Sequence, residues 1–168
     1  MKLMQSIWSL TRLFKFRGRN LCSVLEFRQR YLSAQARLDE VRFCCARCGR
    51  PITVWLKAMS EPSLQRAQQT EAIDRAELLE QGEYLWVTDL VEASEMLYGA
   101  EASDLLLSPR SLMATQTYGK GVGCCGDDGS MGPNLACEKK HSVGIELGDC
   151  YQPQLCHFVN GQILIETL

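Results

Sequence analysis

Phe43-Cys44-Cys45-Ala46-Arg47-Cys48-Gly49-Arg50-Pro51, continued by Ile52-Thr53-Val54-Trp55-Leu56, is the stretch on which the reading of the fold turns. Two thiols at i and i+3 grip one ion when the turn between them is tight. A glycine after the second tolerates the positive φ that aims backbone N–H groups at the sulfurs. Cys45, Cys48 and Gly49 fit that form, which leaves Cys44 pointing elsewhere. The β-branched and aromatic run after Pro51 reads as a strand leaving the turn. Such a knuckle supplies half of a tetrahedral site, so the other half has to come from a distant segment.

Outward from this stretch, eight of the nine cysteines fall into two groups: Cys44, Cys45 and Cys48, then Cys124, Cys125, Cys137, Cys150 and Cys156, with Cys22 apart. The second group opens in the glycine-rich run from Gly119 to Asn134, whose six glycines and one proline exclude regular helix or a central strand. A P-loop is excluded because Lys120 is followed by Gly121 rather than by Ser or Thr. An EF-hand is excluded because Asp127, Asp128 and Asn134 lack the alternating ligands and the terminal Glu. An irregular loop that presents Cys124 and Cys125 remains. Ser142-Val143-Gly144-Ile145-Glu146-Leu147 then alternates as a strand, and Asp149-Cys150-Tyr151-Gln152-Pro153 makes a turn. Two further runs flank Asn160-Gly161, which predicts a two-residue hairpin over residues 155–165.

The expected ligands of one structural zinc ion are Cys45, Cys48, Cys137 and Cys125, with Cys124, His141 and Cys150 as alternates for the fourth place. Cys125 is preferred there because Gly126 permits a second knuckle-like turn. Adjacent cysteines seldom share an ion, so one of each doublet is expected to be a packed thiol. Three other uses of the thiols compete with this one. Disulfides need an oxidising compartment, and there is neither a clean signal peptide nor an even cysteine count. Redox chemistry at Cys45-Ala46-Arg47-Cys48 has the right spacing but not the strand-to-helix setting. A Cys/His nucleophile pair would have to use His141 or His157, with no orienting third group in view.

The net charge of −2 hides an asymmetry. Residues 1–37 carry eight basic residues against Glu26, a balance of +7, and the remaining chain carries ten against nineteen, a balance of −9. Leu3, Met4, Ile7, Trp8, Leu10, Leu13 and Phe14 follow the helical period, so the basic segment reads as an amphipathic helix. Such a helix suits an anionic membrane surface, nucleic-acid phosphates, a mitochondrial presequence, or plain docking with its charges solvated. No run approaches the roughly 18 apolar residues that span a bilayer, since Arg12, Lys15, Arg17 and Arg19 break the N-terminal apolar stretch. Between the cysteine groups, residues 63–81 read as a polar surface helix or loop, Glu83 to Thr88 as a strand, and Asp89 to about Tyr98 as a capped helix. Ser108-Pro109 reads as a further cap and start.

Taken in order, the Cys-x-x-Cys knuckle, the Gly-Cys-Cys-Gly-x-Asp-Gly loop ending in Gly-Pro-Asn, Cys137, the His-x-Val-Gly-x-Glu strand and the Asp-Cys-aromatic turn resemble an uncharacterised family of small bacterial zinc-ribbon-like proteins. The resemblance covers about residues 41–158. It implies a β-rich metal-stabilised domain and carries no activity with it. The chain departs from the family pattern at Lys140 and Gln154.

The expected fold is therefore α+β: a β-rich zinc-ribbon-like small domain over residues 41–168 with a basic N-terminal helical extension over residues 1–40. The expected function is a non-catalytic, zinc-stabilised accessory module that binds a protein partner through its acidic surface, in the cytoplasm or, in a eukaryote, in mitochondria. A nucleic-acid binder using residues 1–37 and a thiol redox enzyme are the alternatives.

Overall fold

A computed structural model describes residues 14–16, 19–34, 40–60, 78–87, 104–113, 115–119, 122–150 and 154–168. The described elements run β1 (Phe14–Phe16), β2 (Arg19–Ser23), α1 (Val24–Ala34), β3 (Val41–Cys45), β4 (Lys57–Ala58), β5 (Glu83–Trp86) and β6 (Leu105–Leu107). After these come β7 (Thr115–Thr117), β8 (Leu135–Cys137), β9 (Ser142–Leu147), β10 (Leu155–Phe158) and β11 (Ile163–Thr167). The described part of the chain is thus mostly β with one short helix. Residues 3–13 of the amphipathic reading, the polar segment up to residue 77 and the capped helix from Asp89 lie outside the described residues. Phe14, the last position of that reading, falls instead in β1, and Arg19–Ser23 of the expected helical extension is strand β2.

The strands form two sheets. One is four-stranded in the order β1-β2-β11-β3, and the other is seven-stranded in the order β4-β5-β6-β10-β9-β8-β7. Alternation along a strand sends every second side chain to the same face. Val41, Phe43 and Cys45 of β3, with Ile163 and Ile165 of β11, therefore meet Tyr84, Trp86, Leu105, Leu107, Leu135, Val143 and Phe158 of the larger sheet in one buried cluster. Phe43 sits at its centre, with Phe158 at 5.6 Å and Tyr84 at 6.1 Å between ring centroids. A second cluster, including Leu85, Leu106, Ile145, Leu147 and Leu155, lies on the other face of the seven-stranded sheet. β6 has all three leucines buried because it is an inner strand covered on both faces, the setting in which a strand loses its alternation.

The sequence division at residue 40 falls between α1 and β3, and both pack on the same core. β2 pairs with β11 through Cys22↔Ile165, and Leu21, Val24 and Phe27 are buried. Phe27 stacks on Trp86 of the larger sheet at 6.0 Å. The helix starts on a capping box: the Glu26 N–H donates to Ser23 Oγ (3.2 Å) and the Ser23 N–H donates back to Glu26 Oε2 (2.9 Å).

Two expected elements take another form. The run Ile52–Leu56 is not a continuous strand but makes single bridges, Cys44↔Pro51, Thr53↔Leu112 and Val41↔Leu56, that bury Ile52 and Leu56 between the sheets. The Asn160-Gly161 hairpin is a turn, but not a hairpin. β10 is occupied on both sides by β6 and β9, and β11 by β2 and β3, so the turn carries the chain from one sheet to the other. Its backbone explains why. Gly161 has φ 90° and Gln162 N–H bonds to Val159 O (3.3 Å), while Asn160 is not in the left-handed region. A type I′ turn needs positive φ at both central residues. With it only at the second, the turn is of type II form, which splays the flanking strands. By contrast, Ser108 caps a short 3₁₀ turn over Pro109–Ser111, as its sequence signals. Among the described residues no helix is long and apolar enough to cross a membrane.

Candidate metal centre

Each sheet sends one knuckle to a common point. Cys45 ends β3 of the four-stranded sheet, and the chain turns at once: Gly49 N–H bonds to Cys45 O (2.8 Å) with Gly49 at φ 66°, and Cys45 N–H bonds to Arg50 O (2.9 Å). Cys137 ends β8 of the seven-stranded sheet and turns as tightly. Lys140 N–H bonds to Cys137 O (2.7 Å), Cys137 N–H bonds to His141 O (2.9 Å), and Lys140 takes the left-handed conformation at φ 63°. Lys140 thus does in the second knuckle what Gly49 does in the first.

These turns gather Cys45, Cys48, Cys137 and His141, with all four ligand atoms within 4.8 Å of one another. Cys45 Sγ lies 3.5 Å and Cys137 Sγ 3.6 Å from His141 Nδ1, and Cys48 Sγ lies 3.9 Å from Cys137 Sγ. Cys45 and Cys137 are buried, and Cys48 and His141 are half-buried. Burial pushes the Cys45 thiol up to about 11. Burial acts the same way on Cys137, but the backbone N–H groups of His141 and Lys139 and the neighbouring thiols outweigh it and hold Cys137 below the ordinary value. An exposed Arg50–Glu138 ion pair joins the two knuckles at the surface.

A second group lies beyond the far end of β9. Cys124, Cys125, Asp149 and Cys150 also place their ligand atoms within 4.8 Å of one another. Cys124 and Cys125 are exposed, and their sulfurs are 3.4 Å apart. β9 is six residues long, so at about 3.3 Å per residue the two groups are on the order of 20 Å apart. Of the sequence candidates, then, the structure brings Cys45, Cys48, Cys137 and His141 together. It puts Cys125, Cys124 and Cys150 in the other group. Asp149 was not among the candidates. Its signal was its place between Gly148 and Cys150, a turn position where a carboxylate can accept backbone N–H groups.

Hydrogen bonds to Asp149 Oδ1 from Cys125 N–H (3.0 Å) and Cys150 N–H (2.8 Å) hold the two halves of that group together. The same contacts, the Cys125 N–H first, hold the Asp149 carboxyl below the usual carboxylate range. Hydrogen bonding with Cys150 and then Cys125 pushes the Cys124 thiol up to about 12. The neighbouring carboxylates of the loop are turned inward to brace it. Asp127 Oδ1 accepts Gly129 N–H, its carbonyl accepts Gly148 N–H (3.0 Å), and Asp128 Oδ1 accepts both Ser130 N–H (2.9 Å) and Ser130 Oγ (2.6 Å). Asn134 completes the brace from Gly-Pro-Asn by bonding both backbone groups of Glu146, at 2.8 and 2.7 Å.

The remaining cysteines pack. Cys22 Sγ faces Ile165 O and Cys44 Sγ faces Glu166 Oε2, each at 3.6 Å. Cys156 and His157 are neighbours in β10, so alternation puts them on opposite faces. Burial drives the Cys156 thiol well above its ordinary range. His157 Nε2 instead meets Asp104 Oδ2 at 2.7 Å in the interior. No protein-family model matches the chain, and comparison with curated proteins and with solved structures found no match.

Proposed function

We propose that this chain is a non-catalytic module whose two sheets are clamped together by one structural zinc ion on Cys45, Cys48, Cys137 and His141. The carrying observation is the set of ligand separations. Zinc held tetrahedrally, with Zn–S about 2.3 Å and Zn–N about 2.05 Å, needs sulfurs about 3.8 Å apart and S···N about 3.6 Å. Three of the six separations, at 3.9, 3.5 and 3.6 Å, match those values, and the other three lie within 4.8 Å. Four protein ligands fill a tetrahedron and leave no position for substrate, which favours a structural role over a catalytic one.

A protein partner is the reading of the surface. The −9 balance of residues 38–168 disfavours phosphate backbones, and Tyr118 stands exposed beside the glycine-rich loop with Val122 and Met131 exposed within it.

The test is elemental analysis of protein purified without added metal and dialysed against a weak chelator, beside Cys48→Ser. About one zinc per wild-type chain is expected, lost together with cooperative unfolding in the variant. Metal-free protein that stays folded would overturn the reading. For the nucleic-acid alternative, Leu21, Val24 and Phe27 belong to the core, so charge reversal at Lys15 and Arg17 is the cleaner comparison than deletion of residues 1–37. Duplex DNA or RNA binding that falls on reversal would favour that alternative.

A further inference from the structure

The structure assigns a second metal site to this chain: an open, exchangeable site for a thiophilic d10 cation, zinc(II) or copper(I), on the thiolates of Cys124, Cys125 and Cys150 with Asp149 beside them. Three soft sulfurs converge there within 4.8 Å, and the doublet Cys124 and Cys125 departs from the expectation that one of two adjacent cysteines packs away, since both are exposed with their sulfurs 3.4 Å apart. Three thiolates about 2.3 Å from a common ion stand about 3.8–4.0 Å apart in tetrahedral or trigonal geometry, so shifts of no more than about 1 Å bring these sulfurs onto one ion. Soft thiolate sets select zinc and copper(I) over magnesium, calcium or manganese.

The convergence is built into the backbone. A Cβ on Gly126 would lie 2.5 Å from Gly148 O, and one on Gly123 would lie 2.6 Å from Asp149 Cγ, so the two segments approach as closely as glycine allows. Asp149 Oδ1 then ties Cys125 N–H to Cys150 N–H, which fixes the sulfurs before any ion arrives. A carboxylate spent on two backbone donors acts on the ligand-bearing turns rather than as a primary ligand, a supporting role familiar around metal sites. No packing need accounts for these thiols, because Cys124 and Cys125 are exposed and neither they nor Cys150 belongs to either core cluster.

Accessibility sets the character of the site. The first group is half-buried or buried and closed by four ligands, whereas here Cys124 and Cys125 are exposed and Cys150 is half-buried, which leaves a coordination position open to a small ligand or an acceptor protein's thiol. Binding transfers no electrons. The thiols release their protons to solvent as the metal–sulfur bonds form, and release of the ion reverses this.

The test uses the full chain, reduced and anaerobic. It is titrated with Zn2+ against a chromophoric chelator and, separately, with Cu+ delivered as a bicinchoninate complex. Alkylation by iodoacetamide is mapped at each cysteine by mass spectrometry. One equivalent beyond the chelator-resistant ion is expected in at least one arm, slowing alkylation of Cys124, Cys125 and Cys150 together by tenfold or more. The triple variant Cys124→Ser, Cys125→Ser, Cys150→Ser should lose that equivalent alone and keep the wild-type unfolding transition. Protection by Zn2+ names a zinc site and protection by Cu+ a copper site. If neither ion protects the three thiols, or if the triple variant still binds the extra equivalent, the assignment is overturned. Mapping Cys45, Cys48 and Cys137 in the same digest reports the first group separately.

Discussion

The two cysteine groups are alike in composition and opposite in construction. At one end of β9, Cys45 and Cys48 come from the four-stranded sheet and Cys137 and His141 from the seven-stranded one, so anything that binds all four ties the sheets to each other. Beyond the other end, Cys124, Cys125 and Cys150 hang on loops that flank β8 and β9, and they tie nothing but those loops. Burial follows the same division. An ion in the first position is coupled to folding because the ligands cannot meet unless the core forms. An ion in the second is coupled only to the loop.

That contrast breaks most visibly in the pair Cys137→Ser and Cys150→Ser. If the first group holds zinc as proposed, the first substitution removes a buried ligand from a site worth on the order of 10 kcal/mol, and the cooperative urea transition should disappear. The second alters a loop thiol outside both core clusters and should leave the transition within about 0.5 kcal/mol of wild type. Equal losses would mean that both groups, or neither, hold the fold. A smaller effect separates Gly126 from Gly148. An alanine at Gly126 would press on Gly148 O at 2.5 Å, while one at Gly148 meets nothing within 4 Å. Gly126→Ala should push the two loop segments apart and speed alkylation of Cys150 while leaving the urea transition within about 0.5 kcal/mol of wild type, and Gly148→Ala should leave the alkylation rate unchanged.

The surface ion pair between the knuckles ranks below these. Arg50 and Glu138 have side chains about half exposed, so Glu138→Gln should change stability by no more than about 0.5 kcal/mol. A larger loss would shift credit for joining the sheets from the ligands to the ion pair.

How much of this the sequence carried depended on whether the signal was local. The Cys45 to Gly49 knuckle, the strand from Ser142 to Leu147 and the Ser108 cap are written in a few adjacent residues, and each forms where those residues stand. The fourth member of the first group is not local. Cys125 and His141 both flank Cys137 in sequence, and only the length and direction of β9 decide that His141 stays beside Cys137 while Asp149 and Cys150 are carried to the Cys125 end. One local hint existed: Cys137 and His141 are four residues apart before a strand, the spacing of a tight turn. The hairpin expectation failed on the same ground, since Asn160-Gly161 encodes a turn but not which strand lies beside β10. The place of β2 and α1 was equally hidden, although Ser23 and Glu26 spell a capping box.

The smallest effect concerns the loop alone and asks whether its carboxylates brace it or merely decorate it. Hydrogen bonds from Ser130 Oγ and then from Ser130 N–H hold the Asp128 carboxyl below its ordinary value of 3.8. A depressed carboxyl stabilises the folded loop at any pH above that ordinary value, and the contribution fades as pH falls through the lower folded value. Acidification below about pH 4 should therefore loosen residues 127–130 by this route, and nothing of the effect should be seen between pH 5 and 8. Ser130→Ala removes the larger of the two contacts while leaving the backbone donor. The Asp128 midpoint, followed by NMR of its carboxyl carbon, should move up toward 3.8 without any change in urea stability at pH 7. An unchanged midpoint would show that Ser130 does not hold Asp128. Lost stability at pH 7 would show that the loop is coupled to the core after all, and the contrast between the two ends of β9 would narrow.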